Sequence, residues 1–205
     1  MFSRKQLIKL ILPLVVEQLL AMTIGIADTL MVATCGEAAV SGISLVDSIN
    51  ILLINIFSAL ATGGAIICSQ LIGKEQPQNA KKAAKQLLLI TAILSVAIMA
   101  VCLASQRSLL RVLFGSIEDA VMDSAVTYLF LSALSYPFIA VYNAGAALFR
   151  SMGNSKISMY ASVIMNVVNV GGNALLIFQL KMGVAGAGLA SLISRILAAV
   201  FVLYL

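Results

Sequence analysis

Four stretches of this chain carry no charged residue: those between Asp47 and Lys74, Lys85 and Arg107, Asp123 and Arg150, and Lys156 and Lys181. Each is at least 21 residues long. A helix rises ~1.5 Å per residue, so ~20 apolar residues cross the hydrocarbon core of a bilayer. Runs of this kind allow little else than membrane-spanning helices, because only a helix satisfies its own backbone in lipid without partner strands.

Composition agrees. Hydrophobic residues make up 61% of the chain and charged residues 10%, against roughly 25% charged in a soluble domain. The excess of basic residues, 13 against 8 acidic, follows membrane topology rules and gives no reason to expect nucleic acid. Cys35, Cys68 and Cys102 lie in or beside apolar segments without metal-ligand spacing, so they read as small membrane residues. The chain has no histidine, which removes histidine-ligated haem and zinc, Ser–His chemistry and histidine proton relays. Behind the basic start MFSRKQLIKL the apolar stretch is too long for a cleavable leader and has no small-x-small site close behind it.

The sequence predicts an all-α, polytopic bundle of six transmembrane helices, at about 8–32, 47–73, 85–105, 122–148, 157–180 and 184–205. The last run is still apolar at Leu205, so a truncated chain or fragment is expected. Alternating the loops places Arg4, Lys5, Lys9, Lys74, Lys81, Lys82, Lys85, Arg150 and Lys156 on one side, and Arg107, Arg111 and Lys181 on the other. The positive-inside rule then puts the N terminus in the cytoplasm. GKEQPQNAKKAAKQ becomes the main cytoplasmic loop, and TCGEAAVSG and GSIEDAVMD become outer loops. Small residues every four positions, at Ala61, Ala65, Ser69 and Gly73 and at Gly186, Ala190, Ser194 and Ala198, predict close helix contacts.

The first span carries two acids, Glu17 and Asp28. Eleven residues turn a helix ~1100°, about 20° past three full turns, so both share a face. A carboxylate at membrane depth costs ~2.5–3.5 kcal/mol even on the lenient insertion scale, and such residues face cavities and mark ion or proton pathways. The fifth span carries Asn166, Asn169 and Asn173 on one stripe. Counting ~1.5 Å per residue sets Asn169 and Asn173 at the depth of Asp28. Tyr128 and either Asn50 or Asn55 are candidates for the same cluster. A carboxylate with amide carbonyls suits a hard cation such as Na⁺, and a carboxylate alone suits a proton. Glu17 and Arg195 share a second, lower depth and are expected to pair. Gln18 is a further cavity candidate. Pro13 reads as a first-turn proline. Pro137 falls mid-span, where it removes a backbone hydrogen bond, and is a candidate hinge.

These residues resemble the multidrug and toxic compound extrusion (MATE) family. Pro13, Gln18, Asp28, Thr29, Met31 and Val32 are similar to its first helix. The likeness continues through SQLIGK, AALFRSMGNSK, NVVNVGGNALLIF and GVAGAGLAS, in the family's order across nearly the whole chain. The resemblance implies one six-helix lobe of a twelve-helix transporter, the N-terminal one, with the C-terminal lobe as its missing partner. It implies exchange of Na⁺ or H⁺ for organic, often cationic or amphipathic, compounds. It assigns ion coupling to Asp28, the residue that would hold Na⁺, assisted by Asn169 and Asn173. Several members have an aspartate where this chain has Asn173, so the resemblance leaves the coupling ion open. No other cofactor and no catalytic residue are expected. The partners expected are a small organic substrate and membrane lipid, and the location is the plasma membrane of a prokaryote. A flippase for lipid-linked saccharides, or a homodimeric six-helix transporter or channel, are the alternatives.

Overall fold

A computed structural model of the chain describes residues 4–205, without the side chains of residues 4–7, 9, 10, 21 and 24. Arg4, Lys5 and Lys9, counted above toward orientation, therefore lie outside the described side chains. The described residues form six long helices and no strand: α1 (Arg4–Val32), α2 (Glu37–Gly73), α3 (Pro77–Phe114), α4 (Asp119–Ser151), α5 (Ser155–Asn173) and α6 (Gly183–Tyr204). All six segments are long and apolar enough to cross a membrane.

The helices outrun the apolar runs that announced them. α2 begins at Glu37, ten residues before the expected start at Asp47, and α3 occupies Pro77–Phe114 rather than 85–105. Helices of 37 and 38 residues are ~55 Å long, well beyond a ~30 Å hydrocarbon core. Outside the lipid, Lys, Gln, Ala and Glu are good helix formers, so the winding continues. Most of GKEQPQNAKKAAKQ is thus helical, with only residues 74–76 between α2 and α3 and Pro77 opening the first turn of α3. TCGEAAVSG shrinks similarly to a 3₁₀ turn at Ala33–Cys35 and Gly36, whose φ of +105° reverses the chain into α2. In GSIEDAVMD, α4 starts at Asp119. Pro13 is ten residues into α1, not in its first turn.

α4 is the hub. It packs against α2, α3 and α6, and also touches α5, while α1 leans mainly on α5. The outward side of α1 bears Ile11, Leu12, Leu19, Met22, Ile26 and Leu30, all exposed, as a lipid-facing helix requires. Close backbone approach depends on missing side chains. A Cβ on Gly42 would lie 2.8 Å from Ala125 N, and one on Gly186 would lie 3.1 Å from the backbone of Leu176. The α6 stripe is buried throughout, at Gly186, Ala190, Ser194 and Ala198. The α2 stripe is buried at Ala61 and Ala65, but Gly73 is exposed, and a Cβ there would meet nothing within 4 Å.

α4 runs unbroken through Pro137. Non-helical geometry occurs inside α3, at Ser105 (φ −122°, ψ 18°). Directly after Asn173 the chain widens into a π-helical turn, Ala174–Gln179, and Gly186 of α6 lets that wider turn nest against it.

Candidate functional site

α1 turns both of its acids inward, as their spacing requires. Glu17 and Asp28 line one cavity of about 470 Å³, a size that suits a small-molecule site. Gln18, Asn55, Tyr142, Asn143, Arg150, Asn169, Ser191 and Arg195 also line it.

Asp28 is 8% exposed. Asn173 Nδ2 donates to its Oδ1, so α1 and α5 meet through the two residues matched by depth. Asn173 also reaches Asn169 Oδ1 at 3.5 Å, and Asn169 Nδ2 donates to Ser191 Oγ of α6 at 3.1 Å. The Oδ1 of Asn173 is buried without a hydrogen-bond partner. A buried orphan acceptor is costly unless something satisfies it. The same hydrogen-bonded cluster holds a carboxylate, a second amide oxygen and a serine hydroxyl, oxygen types that suit a hard monovalent cation. No group of three His, Cys, Asp or Glu side chains forms a metal cluster among the described residues.

Asn166, third of the asparagine stripe, is buried but donates to Ser162 O at 2.9 Å and does not join Asp28. Tyr128 is buried on α4. Asn50 is buried and engaged elsewhere, whereas Asn55 is exposed and faces the cavity.

The engagement of Asn50 exposes a residue that sequence reasoning missed. Asp47, treated as the boundary of the second span, lies ten residues inside α2. Its Oδ1 accepts from Asn50 Nδ2 at 3.2 Å. Asn50 also meets Ser132 Oγ at 3.4 Å and accepts from the Tyr136 hydroxyl at 3.0 Å. On the next turn of α4, Ser135 Oγ donates to Ser132 O and accepts from Arg195 Nη1, each at 2.6 Å. A chain of polar contacts thus runs from Asp47 through α4 to Arg195. The signal was present in the sequence as the DSIN string, which places Asp47 and Asn50 on one helical face.

The lower pair is different from the one expected. Glu17 does not pair with Arg195. Its Oε1 accepts from Arg150 Nη1 at 3.0 Å and Tyr142 OH at 3.3 Å, and its Oε2 from Ser158 Oγ at 2.8 Å. Depth alone could not show this, because every Cα–Cβ bond tilts toward its helix N terminus. α1 and α6 run in opposite directions, so Glu17 leans toward the Arg150 end of the bundle and Arg195 leans away from it.

The MatE family model matches residues 13–175. Over 196 residues the chain is 31% identical to the protein named uncharacterized transporter YisQ of Bacillus subtilis (strain 168), covering 90% of this chain and 41% of that one. Over 210 residues it is 26% identical to the probable multidrug resistance protein NorM of Thermotoga maritima, covering 98% and 44%. A solved structure of a multidrug resistance MATE family transporter of the MOP superfamily, in its outward-facing conformation, matches at a TM-score of 0.90 and 23% identity, over 98% of this chain and 44% of that one. At that identity the likeness concerns the fold. The chain spans about two fifths of the length of these relatives. With the family model running from α1 to the π turn after α5, and six membrane-spanning helices in the family's arrangement, the chain belongs to the MatE family of membrane transporters.

Proposed function

We propose that this chain is one lobe of a cation-coupled antiporter that exports organic, cationic or amphipathic compounds, working with a complementary second lobe. The observation that carries the reading is the contact of Asp28, which lines the cavity, with the buried Asn173 behind it, whose Oδ1 is left unpartnered. In this reading Na⁺ or H⁺ neutralises Asp28, and Asn173, Asn169 and Ser191 supply neutral oxygens around it. Exchange requires that the ion favour one conformation over the other, since a ligand with equal affinity for both shifts nothing. α1 suits that role, because few contacts beyond α5 hold it and both of its acids face inward. A charged Asp28 favours a cationic compound in the cavity, and a neutralised one favours its release. The membrane is the plasma membrane, with the N terminus in the cytoplasm.

The test is dye or drug efflux from proteoliposomes holding the assembled transporter, driven by Na⁺ and H⁺ gradients separately. Asp28→Asn is expected to insert and fold but to lose ion-driven efflux. Coupled efflux at the wild-type rate by Asp28→Asn rejects the assignment, and the gradient that drives the wild type identifies the ion.

A further inference from the structure

Two chains of hydrogen bonds, each beginning on a carboxylate, converge on one face of α6. The first runs from Asp28 through Asn173 and Asn169 to Ser191. The second runs from Asp47 through Asn50 to Ser132 Oγ and, across the Ser132 backbone, from its carbonyl O through Ser135 to Arg195. Ser191 and Arg195 are four residues apart, hence neighbours on the helix surface. Asp28 and Arg195 line the cavity, whereas Asp47 does not. Arg195 has no carboxylate within salt-bridge distance among the described residues, where only Arg107–Asp123 and Arg150–Glu17 form such bridges.

The charges inside the bundle can then be assigned helix by helix. α1 contributes Glu17 and Asp28, α2 contributes Asp47, α4 contributes Arg150, and α6 contributes Arg195. α3 and α5 keep their charged residues near their ends, and α4 adds the neutral phenols Tyr128, Tyr136 and Tyr142. Glu17 and Arg150 cancel by direct contact. Among the described side chains Asp28, Asp47 and Arg195 remain, with one negative charge in excess.

We infer that Asp47 is a positioning counter-charge of the ion site: it offsets Arg195 across α4, so that Asp28 keeps the one uncompensated negative charge and the lobe takes up one monovalent cation. Without Asp47, Arg195 itself neutralises Asp28 and excludes the ion. Without Arg195, two acids remain and the lobe takes a second cation. The inference rests on the reading of Asp28 as the ion site and adds what sets its stoichiometry.

The test needs only cation binding by the purified 205-residue chain in detergent, read as the shift of its unfolding temperature with Na⁺ at fixed pH and as proton uptake without Na⁺. The wild type is expected to take one cation. Asp47→Asn is expected to bind it at least ~10-fold more weakly, because an unopposed Arg195 faces the site. The double variant Asp47→Asn with Arg195→Gln is expected to return to within about threefold of wild type, since the net charge is restored. Arg195→Gln alone is expected to take two. Wild-type binding by Asp47→Asn, or a double variant no better than Asp47→Asn, overturns the inference. Should Asp47→Asn fail to fold, an unchanged stoichiometry in Arg195→Gln overturns it. Asp28→Asn separates the two levels. If it binds as the wild type does, or if the wild type takes up no cation, the ion-site reading falls too. If Asp28→Asn loses binding while Asp47→Asn keeps it, only the counter-charge role falls.

Discussion

Glu17 Oε1 lies 3.0 Å from Arg150 Nη1, joining α1 to the last turn of α4. With Ser158 on the other carboxylate oxygen, this contact fastens α1 at one end of the bundle, as Asp28–Asn173 fastens it toward the other. Breaking a fully buried pair costs 3–5 kcal/mol, but these side chains keep 17% and 28% of their exposure. Glu17→Gln and Arg150→Gln are each expected to cost about 2 kcal/mol. The double change is expected to recover part of the loss in thermal unfolding in detergent. Glu17→Gln with Arg195→Gln is expected to be additive. Coupling to Arg195 rather than Arg150 would contradict the observed pairing.

Much of this architecture was legible, for reasons that also explain the misses. Charge-free runs located four of the six helices, because charge is what lipid excludes, and apolar runs broken by Glu17 and Asp28 or by Arg195 marked the first and the last. They could not locate the ends, since outside lipid the winding depends on local propensity, and α2 and α3 continue through Glu37 and Lys81. The same error hid Asp47, because an acid read as a span boundary is not asked what it does inside. Asp28, Asn169 and Asn173 were found because depth and helical face together specify a meeting point. Glu17 and Arg195 matched in depth only, and the directions of their helices send the two side chains apart. The π turn after Asn173 left no signature that the sequence reading used.

The α2–α4 contact is set by Gly42. A methyl group there would meet Ala125 N at 2.8 Å and Val121 O at 2.9 Å, and backbone atoms cannot swing aside. Gly42→Ala is expected to lose ~1–3 kcal/mol, the usual cost of overpacking. Gly63 has open space around its missing Cβ, so Gly63→Ala is expected to lose nothing. Equal unfolding temperatures for the two variants would show that the helices separate without penalty.

The proposed orientation rests on charge. Lys74, Lys81, Lys82, Lys85, Arg150 and Lys156 cluster at one end of the bundle, and Arg107, Arg111 and Lys181 at the other. The positive-inside rule puts the first group in the cytoplasm. In a background lacking Cys35, Cys68 and Cys102, Glu37→Cys is expected to react with an impermeant thiol reagent on intact cells. Lys82→Cys is expected to react only after permeabilisation. Labelling of position 82 from outside would invert the topology.

Asn173 and Asn166 share one stripe of α5 and are both buried, yet they differ in partner. Asn173 donates to Asp28, whereas Asn166 donates to Ser162 O within its helix, and the side-chain oxygen of each is buried without a partner. If the stripe served only to hold helices together, truncating either residue would act on stability alone. If Asn173 helps to hold the ion, its loss removes one neutral oxygen and the donor that orients the carboxylate. A single hydrogen-bonding group contributes ~1–1.5 kcal/mol, which is about tenfold in affinity. Asn173→Ala is therefore expected to weaken cation affinity about tenfold while efflux stays coupled, because Asp28 still carries the charge. Asn166→Ala is expected to leave that affinity unchanged whatever it does to stability. Cation titrations of efflux in proteoliposomes decide the matter: equal shifts in the two variants, or none in Asn173→Ala, would remove Asn173 from the ion site.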